Sequence, residues 1–303
     1  MTDNKGIIPP PHTLDAQILH NAETVDSSNK EQIKHSEYLE KSKTYKGYHY
    51  SVLSEDMIEY LHKTTLRITE EVLKIFNKHN IHYMICGGTL LGAATTGKFI
   101  PWDDDVDICV LEDDYEKMRT LLIHNLPDWI EVQCSETEKY YYHGWIKIRD
   151  KYSTVFPNEP KYKYNGVWLD LYKLTLVKRK EVPYLICKEH IDYLYRRCDT
   201  GCISMEERDS RIDKNNLIER LKKAYLDAEN STDDTDLYII WSASKILIEK
   251  EWTFPTKDLT FEGLSLKSFN NPDAYLRRHY GDNYTVLPPY ELRRVGINKI
   301  LYP

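Results

Sequence analysis

A run of aspartates leads directly into an apolar strand between Ile100 and Val110 of this 303-residue chain. Side chains alternate between the two faces of a strand, so Asp105 and Asp107 are predicted to share one face while the intervening apolar side chains enter the core. Asp103 lies two residues before Asp105, so the same alternation would place it on that face. Clustered carboxylates repel one another unless a cation lies between them, and hard oxygen ligands at this spacing suit Mg²⁺ or Mn²⁺. The run therefore predicts a metal site at the start of a buried strand.

Other proteins use similar aspartate patterns for different purposes. An EF-hand loop beginning at Asp103 would need glycine where Ile108 stands and glutamate where Asp114 stands, which excludes that calcium site. In aspartyl-phosphate phosphatases the apolar strand precedes the aspartate pair, whereas here it follows, which disfavours that class. A glycosyltransferase Asp-x-Asp motif, which also binds a metal and a nucleotide diphosphate, stays open. So does a solvated acidic loop with no ligand.

A glycine motif precedes the aspartates. The apolar stretch Ile81–Cys86 predicts a strand, and Gly87, Gly88 and Thr89 follow it directly. Glycines let a ligand phosphate approach the backbone closely. Thr89 is expected to cap the next helix, whose free N–H groups would face an anion. A short helix and a return loop would bring this motif to the aspartates, although a simple turn is the alternative interpretation.

A third carboxylate, Asp170, stands in the middle of an apolar strand predicted over Val167–Val177. A buried carboxylate is costly unless it is paired or ligates a metal, so Asp170 is predicted either to be a third ligand or to pair with a lysine or arginine. Lys147 and Arg149 share one face of a strand predicted over Tyr140–Arg149. Two cations beside a metal suit a diphosphate substrate, whereas a strand edge blunted by charge is the alternative.

The order of elements predicts an α+β fold. Residues 1–50 are polar and are interpreted as an N-terminal arm. Residues 51–180 are rich in strands and are interpreted as the catalytic core. Residues 181–303 are interpreted as an extension that completes the site, helical over 184–250 and irregular from Trp252 onward.

The composition restricts the class of partner and the compartment. The formal net charge is −7, whereas a nucleic-acid binder usually carries a basic face, so nucleic acid is not an expected partner. The sequence has no apolar run long enough for a transmembrane helix, and Met1–Gly6 lacks the apolar core of a signal peptide. Six cysteines in this context are expected to be reduced thiols, which predicts a cytoplasmic protein.

These motifs together resemble the LicD family, to which bacterial phosphocholine transferases and the eukaryotic fukutin-related protein belong. The residues that carry the resemblance are Gly87–Gly92, Phe99–Ile108 and Trp168–Tyr172, followed by the shorter matches Phe261–Leu266 and Tyr280–Tyr284. They appear in the family's order over roughly residues 54–289.

The resemblance implies a nucleotidyltransferase-like mixed sheet flanked by helices, with a helical C-terminal extension. It also implies metal-dependent transfer of a phospho-alcohol, phosphocholine-like or polyol-phosphate-like, from a CDP-linked donor to a sugar hydroxyl of a glycan, with release of CMP. In the family's pattern the metal ligands correspond to Asp105, Asp107 and Asp170.

The remaining site residues follow from this interpretation. Gly87, Gly88 and Thr89 are expected to bind phosphate oxygens, and Lys147 and Arg149 are expected to add positive charge. Asp103 is expected either to orient the metal ligands or to deprotonate the acceptor hydroxyl. Thr95 stands where the family usually has arginine, and Lys98 is expected to supply that cation.

Two other functions stay open at this point. One is a glycosyltransferase that uses a nucleotide sugar, which would release a nucleoside diphosphate rather than a monophosphate. The other is a catalytically inactive relative that binds nucleotides. His143 lies near the predicted cations but is interpreted as a polar surface residue rather than as a base.

Overall fold

The computed structural model describes residues 43–45, 48–50, 53–159, 161–286, 296–297 and 299–303. The predicted N-terminal arm therefore lies almost entirely outside the described residues. The basic pair Arg293-Arg294 also lies outside them.

Strands and helices alternate along the first half of the chain, and a group of helices follows the central strand. The strands are β1 (Lys43–Tyr45), β2 (Tyr48–Tyr50), β3 (Tyr83–Ile85), β4 (Asp107–Leu111), β5 (Ile130–Gln133), β6 (Ile146–Asp150), β7 (Thr154–Phe156), β8 (Trp168–Lys178), β9 (Asp236–Ile240), β10 (Ile246–Glu249), β11 (Lys257–Phe261), β12 (Leu264–Ser268) and β13 (Lys299–Leu301). The α-helices are α1 (Glu55–His79), α2 (Gly87–Thr95), α3 (Glu112–Asn125), α4 (Val182–Asp199), α5 (Met205–Lys214), α6 (Leu217–Asn230), α7 (Lys250–Thr253) and α8 (Pro272–Tyr280).

The seven-stranded sheet is mixed, and the long strand β8 lies at its centre. Strand β4 runs parallel to β8 and places Asp107 beside Asp170. Strand β6 pairs with the other edge of β8 in the antiparallel sense and places Lys147 beside Asp170. Three neighbouring strands therefore arrange one lysine and two aspartates in a row across the sheet, although they are distant in sequence.

Helix α1 begins where its sequence predicts. The Ser54 side chain accepts a hydrogen bond from the Met57 N–H, and acidic residues in the first turn face the positive end of the helix dipole. Apolar residues at helical spacing, among them Ile68, Val72 and Phe76, are buried in the core that the sheet also lines. Asn80 ends the helix in the left-handed conformation.

The region predicted to be helical over 184–250 is helical only as far as Asn230. Strands β9 and β10 follow, and β9 pairs with the second half of β8. The prediction was wrong there because Leu237, Ile239 and Ile240 form a short apolar run whose state depends on a pairing partner, and that partner is distant in sequence. The predicted strand over Tyr140–Arg149 was also too long, since β6 begins only at Ile146.

The α+β class and the mixed sheet are confirmed. Helices α4, α5 and α6 pack on one another around a small apolar cluster of their own. The later part contains the antiparallel hairpin β11–β12 and helix α8. None of the helices in the described part of the chain combines the length and the apolar character of a membrane span.

Candidate functional site

Three carboxylates lie together at the start of β4 and β8. Asp105, Asp107 and Asp170 each offer an oxygen, and these oxygens lie within 4.8 Å of one another. Asp103, Asp104 and Asp105 form a second, overlapping group by the same measure. The distance that shared ligation requires is thus present, and an all-oxygen donor set suits a hard divalent cation. Metal binding itself stays a prediction.

The carboxylates disfavour one another's ionised forms. Burial, together with repulsion from Asp170, raises the pKa of Asp107 to about 7. Burial, together with repulsion from Asp107, raises the pKa of Asp105 well above its usual range. A cation among these oxygens would favour the ionised forms, because opposite charge lowers the pKa of a carboxyl group.

The alternative that the sequence left open for Asp170, pairing with a cation, is also present. Lys147 Nζ lies 2.8 Å from both carboxylate oxygens of Asp170, and both side chains are buried. Trp145 Nε1 donates a further hydrogen bond to Asp170 Oδ1 at 3.1 Å. Lys147 is thus an internal counter-ion of the acidic cluster, and its predicted contact with substrate stays a prediction.

Two aromatic residues on β8 also bind the carboxylates. Trp168 Nε1 donates to Asp105 Oδ2 at 2.9 Å, and the Tyr172 hydroxyl lies 3.0 Å from Asp107 Oδ1 and 3.2 Å from Asp170 Oδ2. Sequence reasoning did not assign them to the site. The available signal was the alternation of β8, which places residues 168, 170 and 172 on one face.

The two glycines contact the aspartates closely. A Cβ atom on Gly87, whose φ is +54°, would lie 2.2 Å from Asp107 Oδ2, and one on Gly88 would lie 2.4 Å from Asp103 Oδ2. No other residue fits at these positions without moving a carboxylate. Asp103 Oδ2 is buried and has no hydrogen-bond partner among the described residues, so it is available to a ligand. The predicted phosphate contact of the glycines stays a prediction.

Thr89 does not cap helix α2, and that prediction was wrong. The helix begins at Gly87 with Cys86 as its N-cap and no side-chain cap. Thr89 lies inside the helix, where its hydroxyl oxygen accepts a hydrogen bond from the Asp107 N–H at 2.9 Å. It therefore fixes the first residue of β4. The Tyr275 hydroxyl on α8 accepts a hydrogen bond from the Gly87 N–H, a contact for which the sequence offered no signal.

Arg149 forms its hydrogen bonds with residues outside the acidic cluster, and Lys98 is exposed. Arg149 Nε donates to Gln133 Oε1 at 2.6 Å and a terminal nitrogen donates to the Gly166 carbonyl at 2.7 Å, so this buried side chain joins β6 to its neighbours. Lys98 follows α2 and is exposed. His143 is not the surface residue that the sequence suggested, because its Nδ1 atom is buried. Contacts of Arg149 and Lys98 with a substrate stay predictions.

Comparison with known proteins agrees with the motifs. Residues 80–183 match the family described as "LicD/FKTN/FKRP, nucleotidyltransferase domain". The chain is 23% identical over 235 residues to the lipopolysaccharide cholinephosphotransferase LicD of Haemophilus influenzae. The aligned region covers 77% of this chain and 82% of that protein. It is 36% identical over 126 residues to "Uncharacterized protein RP689" of Rickettsia prowazekii. That aligned region covers 33% of this chain and 47% of that protein. The resemblance to the LicD family is thus confirmed, and residues 80–183 are the part of the chain that its nucleotidyltransferase domain matches.

Proposed function

We propose that this chain is a transferase that moves a phospho-alcohol from a CDP-linked donor to a sugar hydroxyl of a glycan and releases CMP. The observation that carries the proposal is the three-carboxylate cluster, which falls inside the range matched by the LicD family. Similarity to a lipopolysaccharide cholinephosphotransferase supports the reaction class. A nucleotidyltransferase-like fold and a cytoplasmic location are part of the same proposal.

The residues present fit a divalent cation. Asp105, Asp107 and Asp170 would hold Mg²⁺ or Mn²⁺ through oxygen atoms, and Asp103 adds a buried oxygen that has no partner among the described residues. A bound ion would neutralise negative charge on the donor diphosphate.

The chain's own side chains hold the carboxylates in place. Lys147 fixes both oxygens of Asp170, Trp168 orients Asp105, and Tyr172 orients Asp107. Such preorganisation matters because phosphoryl transfer depends on positioning and charge neutralisation more than on covalent chemistry. The site therefore needs no large rearrangement of its acids to receive a charged substrate.

Further contacts with the substrate belong to the proposal. The start of α2, at Gly87, Gly88 and Thr89, lies against the carboxylates and would bind phosphate oxygens next to them. Lys98, Lys147 and Arg149 would add positive charge that interacts with the substrate's phosphate groups. Asp103 would orient the ligands or accept the proton of the acceptor hydroxyl.

The test is the Asp107→Ala variant, assayed for CMP release from CDP-linked alcohols with Mg²⁺ and with excess EDTA. We expect a loss of about a hundredfold or more, the scale of losing a main charge-stabilising group, without loss of the fold. The matched control is Asp113→Ala, since Asp113 is an exposed aspartate on α3 outside the cluster and should keep full activity.

The alternatives give different results in the same assay. Full activity of Asp107→Ala, or activity in EDTA, would contradict the metal site. Binding of UDP- or GDP-sugars alone, with release of a diphosphate, would favour the glycosyltransferase. Mg²⁺-dependent nucleotide binding without turnover would favour the inactive relative.

A further inference from the structure

The α2–β4 loop, residues 96–106, carries Asp103 and Asp105 of the acidic cluster. The structure describes all of this loop, and its residues form neither a helix nor a strand. The end of the loop is fixed to the sheet, because the Asp170 N–H donates a hydrogen bond to the Val106 carbonyl at 2.8 Å. A loop has no backbone ladder of its own, so the positions of its acids also depend on what holds its start.

One residue of the distant β11–β12 hairpin holds the start of the loop. The Glu262 N–H donates to the Gly97 carbonyl at 2.8 Å, and Glu262 Oε1 accepts a hydrogen bond from the Phe99 N–H at 2.9 Å. Glu262 is thus bonded to the loop through both its backbone and its side chain. The hairpin itself does not depend on this side chain, because Phe261 and Leu266 anchor it in the core with 0% exposure.

The backbone of Glu262 has a conformation that its residue type disfavours. Glu262 has a φ of +47° and Gly263 a φ of +82°, and these two residues form the whole connection between β11 and β12. Two-residue hairpin turns with positive φ at both positions usually begin with Asn, Asp or Gly, because other side chains are strained there. Strained residues cluster at functional sites. The hydrogen bond to the Phe99 N–H is a contact that glycine, which suits the turn better, could not make.

The connection continues from Phe99 to the acids. The Phe99 ring lies 4.7 Å from the Phe261 ring and is stacked on the His62 ring at 4.1 Å, measured between centroids. His62 Nε2, on helix α1, lies 3.0 Å from the backbone carbonyl oxygen of Asp103. The nitrogen donates this hydrogen bond, since a carbonyl oxygen only accepts. Glu262 is therefore connected to Asp103 through two intermediate residues, Phe99 and His62.

We propose that Glu262 is a positioning residue of the transfer reaction: it fixes the start of the α2–β4 loop so that Asp103 and Asp105 keep their places in the acidic cluster. The inference rests on the proposed function, because the places of these acids matter to the reaction that they would serve. Glu262 acts through the loop and not on the substrate. This role also accounts for the sequence match Phe261–Leu266, which supplies none of the proposed substrate contacts.

A purely structural role of the Glu262 side chain predicts a different result. If the side chain only stabilised the fold, activity would follow the unfolding temperature in every variant. Glu262→Gly separates the two roles, because glycine adopts a positive φ without strain but cannot accept a hydrogen bond from the Phe99 N–H. We expect this variant to unfold near the wild-type temperature, since the relieved strain offsets the lost hydrogen bond, and still to lose function.

The first measurement is hydrogen exchange of the full chain, which needs neither metal nor substrate. Peptides that cover residues 99–106 should exchange faster in Glu262→Gly than in wild type. Glu262→Gln keeps an accepting oxygen at the same reach and should restore the wild-type rate. The matched control is Asn80→Gly, which relieves a positive φ of 54° at the C-terminal end of α1 and should leave the exchange of these peptides unchanged.

The second measurement combines Mn²⁺ affinity, by calorimetric titration, with CMP release from CDP-linked alcohols in Mg²⁺. We expect Glu262→Gly to lose about 10- to 100-fold in both, the scale for partners that orient metal ligands. Glu262→Gln and Asn80→Gly should keep the wild-type values. Glu262→Asn also suits a positive φ but is one methylene shorter, and it replaces Glu262→Gly if that variant does not fold.

Three results would overturn the inference: wild-type exchange of residues 99–106 in Glu262→Gly, wild-type Mn²⁺ affinity and CMP release in that variant, or a Glu262→Gln variant that behaves like Glu262→Gly. The proposed function is judged separately on the wild-type protein. A wild-type protein that neither binds Mn²⁺ nor releases CMP would contradict the proposed function, and hydrogen exchange alone would then decide whether Glu262 holds the loop.

Discussion

Replacing Asp170 with asparagine tests the ion pair and the proposed metal site together. The change keeps the shape of the side chain but leaves Lys147, whose Nζ lies 2.8 Å from both oxygens, without its counter-ion. Asp170 is 3% exposed, so water cannot replace the lost charge. Breaking a buried ion pair costs about 3–5 kcal/mol. We expect the lower value, about 3 kcal/mol, because Asp105 and Asp107 remain nearby as acids.

This free energy converts into a measurable shift. An unfolding entropy of about 2.1 cal/mol/K per residue gives roughly 0.6 kcal/mol/K for a chain of this length, so the unfolding temperature should fall by about 5 °C. If Asp170 also ligates the metal, CMP release should fall by about a hundredfold or more. Thermal unfolding with and without Mg²⁺ and the CMP assay measure the two effects separately.

The double variant Asp170→Asn/Lys147→Met separates the structural role from the ligand role. It removes the unpaired cation as well, so most of the lost stability should return while activity stays low. Recovery of activity together with stability would refute ligation by Asp170. A single Asp170→Asn variant with wild-type activity would refute the three-carboxylate site altogether.

Two further predictions concern hydrogen bonding and pH. Thr89→Ala leaves the Asp107 N–H without its partner, so it should lower the free energy of unfolding by about 1–3 kcal/mol and also lower CMP release. Thr89→Ser, which keeps the hydroxyl, should restore both. Equal behaviour of the two variants in unfolding and in the assay would contradict the positioning role. Burial lowers the pKa of His279 to about 4, so between pH 6.5 and 4 the unfolded chain binds the extra proton. Up to about 3 kcal/mol of stability should be present above pH 6.5 and lost as the pH falls toward 4. Unfolding of His279→Asn should depend less on pH in this window than that of the exposed-residue control His124→Asn, and identical pH profiles would refute the assignment.

The amino-acid sequence alone determined the local features of this protein. Alternation along β4 and β8 identified which aspartates face away from the core, because the period of two is a property of any strand. The capping serine at Ser54 and the helical spacing after it determined the start of α1 for the same local reason. Each of the short motifs is continuous in the chain, and together they indicated the resemblance to the LicD family.

Tertiary structure decided which of these features meet. Only the parallel pairing of β4 with β8 places Asp107 beside Asp170, and only the pairing of β6 with β8 makes Lys147 the counter-ion of Asp170 rather than an open cation. Threonine is a residue type that often caps helices, but the Thr89 hydroxyl accepts a hydrogen bond from the Asp107 N–H, because the fold brings that donor on β4 next to it. Strand β9 likewise forms because β8 offers it an edge. Each of these outcomes depends on residues that are distant in sequence, whose contacts are set by packing and pairing rather than by local propensity.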